Sequence, residues 1–204
     1  MKPIVIAFDL GKVLVDFDYS IAARKVAARS TISLPDLAFF LSHSPILVRY
    51  ETGQITRQQF FEEVGAATGY RGTLEEFGES FANIFTPIEP MVEIHATLRR
   101  RGIPTYIFSN TNDLAAEHIR QSFPFFSQFD GYIYSYQVGA MKPDPKIYDA
   151  LERLTGRRGS DILYVDDRAE NIGAGAARGW QVILQESPEK TRAAFRELSL
   201  LNDT

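Results

Sequence analysis

The sequence predicts an α/β protein built on a doubly wound, Rossmann-like parallel sheet that carries an inserted helical cap. Three observations carry this reading. Short apolar, β-rich runs alternate with helical patterns. The runs are apolar at successive positions, as in strands buried on both faces of a parallel sheet. Between residues 17 and 89 the alternation stops, leaving helical patterns and no convincing strand. A chain of 204 residues suits one domain with a smaller insertion rather than two full-sized units.

Taken in order, Ile4 to Phe8 is the first predicted strand. Within the insertion, 19–29 and 34–43 read as helices, and two capping boxes open two more. Thr56 with Gln59 precedes Phe60, Val64 and Ala67, and Thr73 with Glu76 precedes Phe77, Phe81 and Ile84. The β/α alternation resumes after Pro87 and Pro90, which places the core domain at 1–16 and 90–204 and the cap at 17–89. Met91, Ile94 and Leu98 then mark a helix closed by three arginines and Gly102. Four further strands follow at 104–109, 131–135, 162–165 and 181–184. Leu114, His118 and Ile119 define one intervening helix, and Ile147, Leu151 and Leu154 another before Gly156.

Composition narrows the function classes. With 26 acidic and 22 basic residues the formal charge is −4, and no basic run exceeds Arg99 to Arg101, which disfavours nucleic acid as a partner. No cysteine is present, so disulfides, thiolate metal sites and cysteine nucleophiles are excluded. No stretch approaches the roughly 20 apolar residues of a membrane span. The opening KPIVIAFDLG lacks the long apolar region and small-residue cleavage site of a secretory signal, so a cytoplasmic protein is expected.

Ligands of open parallel sheets bind beyond the carboxyl ends of the strands. There the chain places Asp9-Leu10-Gly11-Lys12, Ser109-Asn110-Thr111-Asn112 and Asp166-Asp167, with the loop Gly139 to Pro145 contributing Lys142. Carboxylates, a hydroxyl, an amide and one ammonium converging on one edge suit a site for phosphate and Mg²⁺. Mg²⁺ takes hard oxygen ligands and keeps some of its water, so Asp9, Asp166 and Asp167 could hold it beside a phosphate. Ser109 and the amides opening the next helix could bind phosphate oxygens. Lys142 adds compensating charge. An aspartate so neutralised can attack phosphorus and form an aspartyl-phosphate that water then hydrolyses.

FDLGKVLVD (8–16), IFSNTN (107–112), VGAMKPDPKIY (138–148) and YVDDRAENI (164–172) resemble, in order and spacing, the four motifs of the haloacid dehalogenase superfamily. With YETGQITRQQFFEEV (50–64) in the insertion, the chain is similar to that superfamily's epoxide hydrolase N-terminal-like branch, which includes bacterial sugar 1-phosphate phosphatases. The resemblance implies Asp9 as nucleophile and Ser109 and Lys142 as phosphate-binding catalytic groups, with Asn110 beside them. It implies Mg²⁺ held by Asp9, Asp166, Asp167 and the backbone carbonyl of Gly11, and a mobile helical cap over a small phosphorylated substrate. Most of these phosphatases carry a second aspartate, the general acid/base, two residues after the nucleophile; this chain has Gly11. General acid catalysis contributes roughly 10² to 10⁴-fold, so the glycine predicts a slow enzyme or a good leaving group such as a sugar 1-phosphate.

Other readings stand beside this one. Asp166-Asp167 could cap the helix at about 168–178, although adjacent acids after a buried run repel one another without a cation. Ser109 and Asn110 could N-cap the next helix, and Lys142 could be a solvated loop residue. Lys12 could touch substrate or water, and Asp16 and Asp18 could tie the linker. Phe17, Arg49, Tyr50 and Glu51 are candidates to face substrate, whereas the three histidines show no ligand spacing. Metal-independent dehalogenation is the rival chemistry, although family dehalogenases typically place an aromatic residue where Gly11 stands. A phosphate- or partner-binding protein without useful turnover is the rival from another class. Nothing in the sequence selects an oligomeric state.

Overall fold

The protein is described by a computed structural model over residues 3–202. Its first half runs β1 (Val5–Phe8), β2 (Val15–Phe17), α1 (Tyr19–Ala27), α2 (Leu34–His43), α3 (Ile46–Glu51), α4 (Arg57–Thr68), α5 (Leu74–Ala82) and β3 (Phe85–Pro87). There follow α6 (Glu89–Arg100), β4 (Thr105–Ser109), α7 (Asp113–Ser122), β5 (Gly131–Tyr134), α8 (Ser135–Val138) and α9 (Pro145–Thr155). The chain closes with β6 (Ile162–Asp166), α10 (Ala169–Ala177), β7 (Gln181–Leu184) and α11 (Pro188–Glu197).

Five strands form one parallel sheet in the order β5-β4-β1-β6-β7. Successive side chains on a strand point to opposite faces, and helices cover both. Ile6, Phe8, Leu163 and Val165 pack with Met91, Ile94 and Leu98 of α6 and Phe195 of α11. Val5, Ala7, Ile162 and Tyr164 pack on the other face with Ile147, Tyr148 and Leu151 of α9 and with Trp180. Two buried faces are why these strands read as unbroken apolar runs. The chain winds outward from β1 through β4 to β5, then returns to the other side of β1 for β6 and β7. The topological switch therefore lies at β1, where a crevice opens beyond the strand ends. Parallel pairing of β1 with β4 and β6 sets Asp9 beside the ends of both neighbours.

Helices α1 to α5 share a cluster of their own, centred on Phe60, Phe77 and Phe81. Both predicted capping boxes are present, from Thr56 to Gln59 at α4 and from Thr73 to Glu76 at α5. The absence of strands expected across 17–89 is corrected by β2 and β3, which pair antiparallel with Val15 opposite Pro87 and Phe17 opposite Phe85. Each has only three residues, too few to show an alternation, and the pairing joins positions 70 apart in the chain. The short helices α3 and α8 and the final helix α11 also lie outside the sequence-based assignment. After α3 the chain turns at Gly53, whose φ is +66°; a Cβ there would lie 2.2 Å from the carbonyl oxygen of Tyr136, so the turn packs directly on the α/β body.

Phe60 is fully buried, stacked on Tyr50 with ring centroids 4.4 Å apart and edge-on to Phe77 and Phe81. Replacing it by alanine removes a large core side chain, and Phe60→Ala is expected to lower stability by about 3–5 kcal/mol in denaturant titrations. A loss below about 1 kcal/mol would show that the cluster collapses around the gap or contributes little to the cooperative unit.

Candidate active site

Asp9 follows β1 directly, its amide bonded to the Val165 carbonyl at 2.9 Å. Its Oδ1 accepts from the Leu10 amide at 2.7 Å and lies 3.0 Å from Lys142 Nζ. The Lys142 side chain is only 1 % exposed, and its ammonium also donates to Asp166 Oδ2 at 2.7 Å and to the Phe108 carbonyl at 2.8 Å. Its three protons thus have three oxygen partners. Asp166 is fully buried and accepts further bonds from the Tyr164 hydroxyl, the Arg168 amide at 2.8 Å and Asn171 Nδ2 at 3.1 Å. The Asn110 amide grips the lysine loop from both ends, donating to the Lys142 carbonyl at 3.1 Å and accepting from the Lys142 N–H at 2.7 Å. Its side chain therefore holds the lysine loop at the cavity wall.

These groups border a cavity of about 250 Å³. Asp9, Gly11, Ser109, Lys142 and Asp167 line it from the sheet edge, and Phe17, Tyr19, Glu51 and Phe85 from the ribbon and the inserted helices. Ser109 is buried, its hydroxyl making only a long 3.3 Å bond to the Asn110 carbonyl. The helix after it is capped by Asn112, whose Oδ1 accepts from the Ala115 amide at 3.0 Å. Neither Ser109 nor Asn110 serves as that cap.

Charge in the site is unbalanced. Oxygens of Asp9, Asp166 and Asp167 lie within 4.8 Å of one another, with one lysine among them. Burial pushes the Asp9 carboxyl up to about 7, with Lys142 pulling it down and the Asp166 charge adding to the rise. For Asp166 burial also acts upward, but the charge and hydrogen bond of Lys142 and the Tyr164 hydroxyl outweigh it and hold the group below the usual carboxylate range. Burial and the Asp166 charge raise Asp167. Asn171 Oδ1, buried at the same cavity wall, accepts from no group among the described residues. Carboxylate oxygens in excess beside an unpaired amide oxygen fit a hydrated hard dication such as Mg²⁺.

Gly11 lies against Phe17. A Cβ there would sit 2.8 Å from Cε1 of Phe17, so the ring occupies the space that a side chain at position 11 would enter. Lys12 lies over the same ring, 4.7 Å from its centroid, pairs with Asp16 and donates to the Phe17 carbonyl at 3.2 Å. Asp18 caps α1 through the Ser20 amide. Of the four substrate-facing candidates in the insertion, Phe17 and Glu51 line the cavity. Arg49 instead pairs with Glu63 at 2.7 Å, and Tyr50 donates to Asp113. The residues that sequence reasoning missed are Tyr164, Asn171 and Ser135. The first two steady Asp166, and Ser135 Oγ accepts from the Thr111 amide at 2.9 Å to hold the loop after β4. All three look like ordinary core or cap positions in the sequence. His95 is buried against Phe129, and burial lowers it to about 4.

With this geometry in place, the comparisons define the class of protein. A profile of the haloacid dehalogenase-like hydrolases matches residues 5–179, and the chain belongs to that family. It is 27% identical over 191 residues to a D-ribitol-5-phosphate phosphatase of Bacteroides thetaiotaomicron, spanning 89% of this chain and 91% of that one. The fold is shared with a crystal structure of a haloacid dehalogenase family enzyme of the same organism, at a TM-score of 0.84 and 20% identity over 96% of this chain and 100% of that one. A further structure of that enzyme, in complex with magnesium and inorganic phosphate, superposes at 0.77 with 18% identity over 89% and 93% of the two chains. Among the described residues no helix is long and apolar enough to cross a membrane.

Because the folded-state value of Asp9 lies above its ordinary 3.8, the native state keeps a proton that the unfolded chain has released. Such a group stabilises at low pH, and its contribution is lost as pH rises through the folded value. In chelator, the stability of wild type relative to Asp9→Asn is expected to fall between about pH 4 and about pH 7, and saturating Mg²⁺ to flatten that fall. Urea titrations across this range test it, and a relative stability rising with pH in chelator would contradict the assignment.

Proposed function

We propose that the protein is a Mg²⁺-dependent phosphatase that hydrolyses a small phosphate monoester through an aspartyl-phosphate on Asp9. One observation carries the reading: a carboxylate at the switch point of the sheet, set against a buried lysine and within 4.8 Å of two further carboxylates. The phosphatase name of the 27% identical relative supports it, as does the magnesium and phosphate complex of the structural neighbour. Mg²⁺, held by Asp9, Asp167 and the Gly11 carbonyl with Asp166 behind them, would neutralise the phosphoryl oxygens and the attacking carboxylate.

The chain's own groups do the rest. The Ser109 hydroxyl binds a phosphoryl oxygen and Lys142 adds compensating positive charge beside it, while the bonds to Leu10 and Lys142 engage Asp9 Oδ1 and leave Oδ2 for attack. Asp166 fixes the lysine and stays ionised. The amide of Asn110 secures the lysine loop. Residues 17–89 act as the cap, whose wall excludes bulk water and selects a substrate small enough for about 250 Å³. A sugar or sugar-alcohol phosphate fits that size. Dehalogenation is disfavoured by the carboxylate cluster, which a metal-independent reaction does not require.

Phosphate release from a panel of sugar phosphates and other small phosphorylated metabolites tests the proposal. Turnover is expected with Mg²⁺, to stop in chelator, and to fall by about 10³-fold or more in Asp9→Asn, on the scale of nucleophile deletions elsewhere. Release that persists in the variant, or none from any substrate in Mg²⁺, would overturn it.

A further inference from the structure

We infer that Glu51, carried by the inserted helices, is the general acid and base that Gly11 does not supply. The inference rests on the phosphatase reading and extends it to the leaving group. Three carboxylates line the cavity: Asp9, Glu51 and Asp167. Asp9 is the nucleophile and Asp167 sits in the metal cluster, so Glu51 is the one left with no other task. The phosphoryl group is held at the sheet edge, and the rest of the substrate must extend toward the wall formed by Phe17, Tyr19, Glu51 and Phe85. That is the side on which the leaving oxygen lies in an in-line displacement.

Glu51 is fixed on that wall from several directions. It ends α3, whose preceding residue Tyr50 is buried, stacked on Phe60 and bonded through its hydroxyl to Asp113 at the start of α7. Two residues later, Gly53 presses on the Tyr136 carbonyl. The Asn112 amide hydrogen-bonds the Glu51 carboxyl, while the Oδ1 of Asn112 caps α7. The N-cap of a helix in the α/β body thus positions an acid from the insertion. Other ionisable groups at the cavity are Tyr19 of α1, Lys12 and Asp9 after β1, Lys142, and Asp167 with Arg168 after β6. Burial pushes Glu51 up to about 7 against the pull of the Asn112 bond, which suits a group that must both give and take a proton near neutrality. Meanwhile the Phe17 ring, as it stands, occupies the space that a side chain at position 11 would enter.

An Asp9 oxygen bonds to phosphorus while the bond from phosphorus to the leaving oxygen breaks. Its electron pair stays on that oxygen, which takes the Glu51 proton and departs as an alcohol. The Glu51 carboxylate then accepts a proton from water as the water oxygen attacks phosphorus. The bond between phosphorus and Asp9 breaks, the carboxylate is restored, and inorganic phosphate carries the oxygen from water.

A leaving-group comparison tests this. The best alkyl or sugar phosphate of the panel needs a proton on its leaving oxygen, whereas p-nitrophenyl phosphate does not. Glu51→Gln is expected to lower kcat/KM on the alkyl ester roughly 10²- to 10⁴-fold and kcat/KM on the aryl ester by less than about tenfold, while kcat falls on both because hydrolysis of the shared aspartyl-phosphate loses its base. Retained kcat/KM on the aryl ester shows that the variant is folded. In wild type, kcat/KM across esters of rising leaving-group pKa should change little, which tests the role without any variant. A change in KM alone, equal losses in kcat/KM on both esters in a variant that melts like wild type, or a steep leaving-group dependence of kcat/KM in wild type would overturn the role of Glu51. If wild type releases phosphate from neither ester in Mg²⁺, the phosphatase reading itself has failed.

Discussion

The ammonium of Lys142, buried between Asp9 and Asp166, is the interaction on which the site depends. Two carboxylates so close together cannot both stay ionised away from water without a cation. A lysine taken from water is equally costly unless all its protons find acceptors. Here each requirement meets the other. The sheet order makes the meeting possible, because β1 lies between β4 and β6 and brings Asp9, the Phe108 carbonyl and Asp166 to one edge. The Asn110 fork then fixes the loop that delivers the lysine. One lysine against three carboxylates still leaves the edge acidic, and that deficit, rather than any single residue, gives the site its demand for a divalent cation.

The insertion supplies what the sheet edge lacks. The β2-β3 ribbon carries the chain out of and back into the α/β body, and Arg57 clasps α7 through Asp113 at 2.9 Å and Glu117 at 2.6 Å. Tyr50 and Asn112 tie the same helix start to α3. This half-exposed polar seam, beside the Gly53 contact, sets the inserted wall against the sheet edge. Phe17 belongs to the ribbon yet occupies the space beside Gly11. The ring that fills the space beside Gly11 therefore also shapes the cavity under the insertion. In this account the acid comes from the insertion instead of the motif loop.

Much of this was legible in the sequence, and the physics says which part. Strands covered on both faces announce themselves as apolar runs, and the polar residues that end those runs mark the ligand edge, so Asp9, Ser109, Lys142, Asp166 and Asp167 were visible as a group. Thr56-Gln59 and Thr73-Glu76 were visible because a capping box is a local device. The ribbon was not, since three-residue strands carry no periodicity and their pairing spans the insertion. Tyr164 and Asn171 were hidden by lying inside a strand and a helix that need no functional explanation. Asn110 was legible as a polar residue at the ligand edge, but its grip on the lysine loop depends on how that loop folds back. Glu51 stood among four candidates, and only the folded chain separates it from Arg49 and Tyr50, whose side chains turn to Glu63 and Asp113.

The central claim is covalent: phosphate passes through Asp9. Acid quenching during turnover, followed by intact mass and peptide mapping, measures that directly. The account predicts the added mass of one phosphoryl group on the peptide containing Asp9, present with Mg²⁺ and lost in chelator. Phosphate release with no modified protein at any quench time, or a phosphoryl group mapped to another residue, would contradict it.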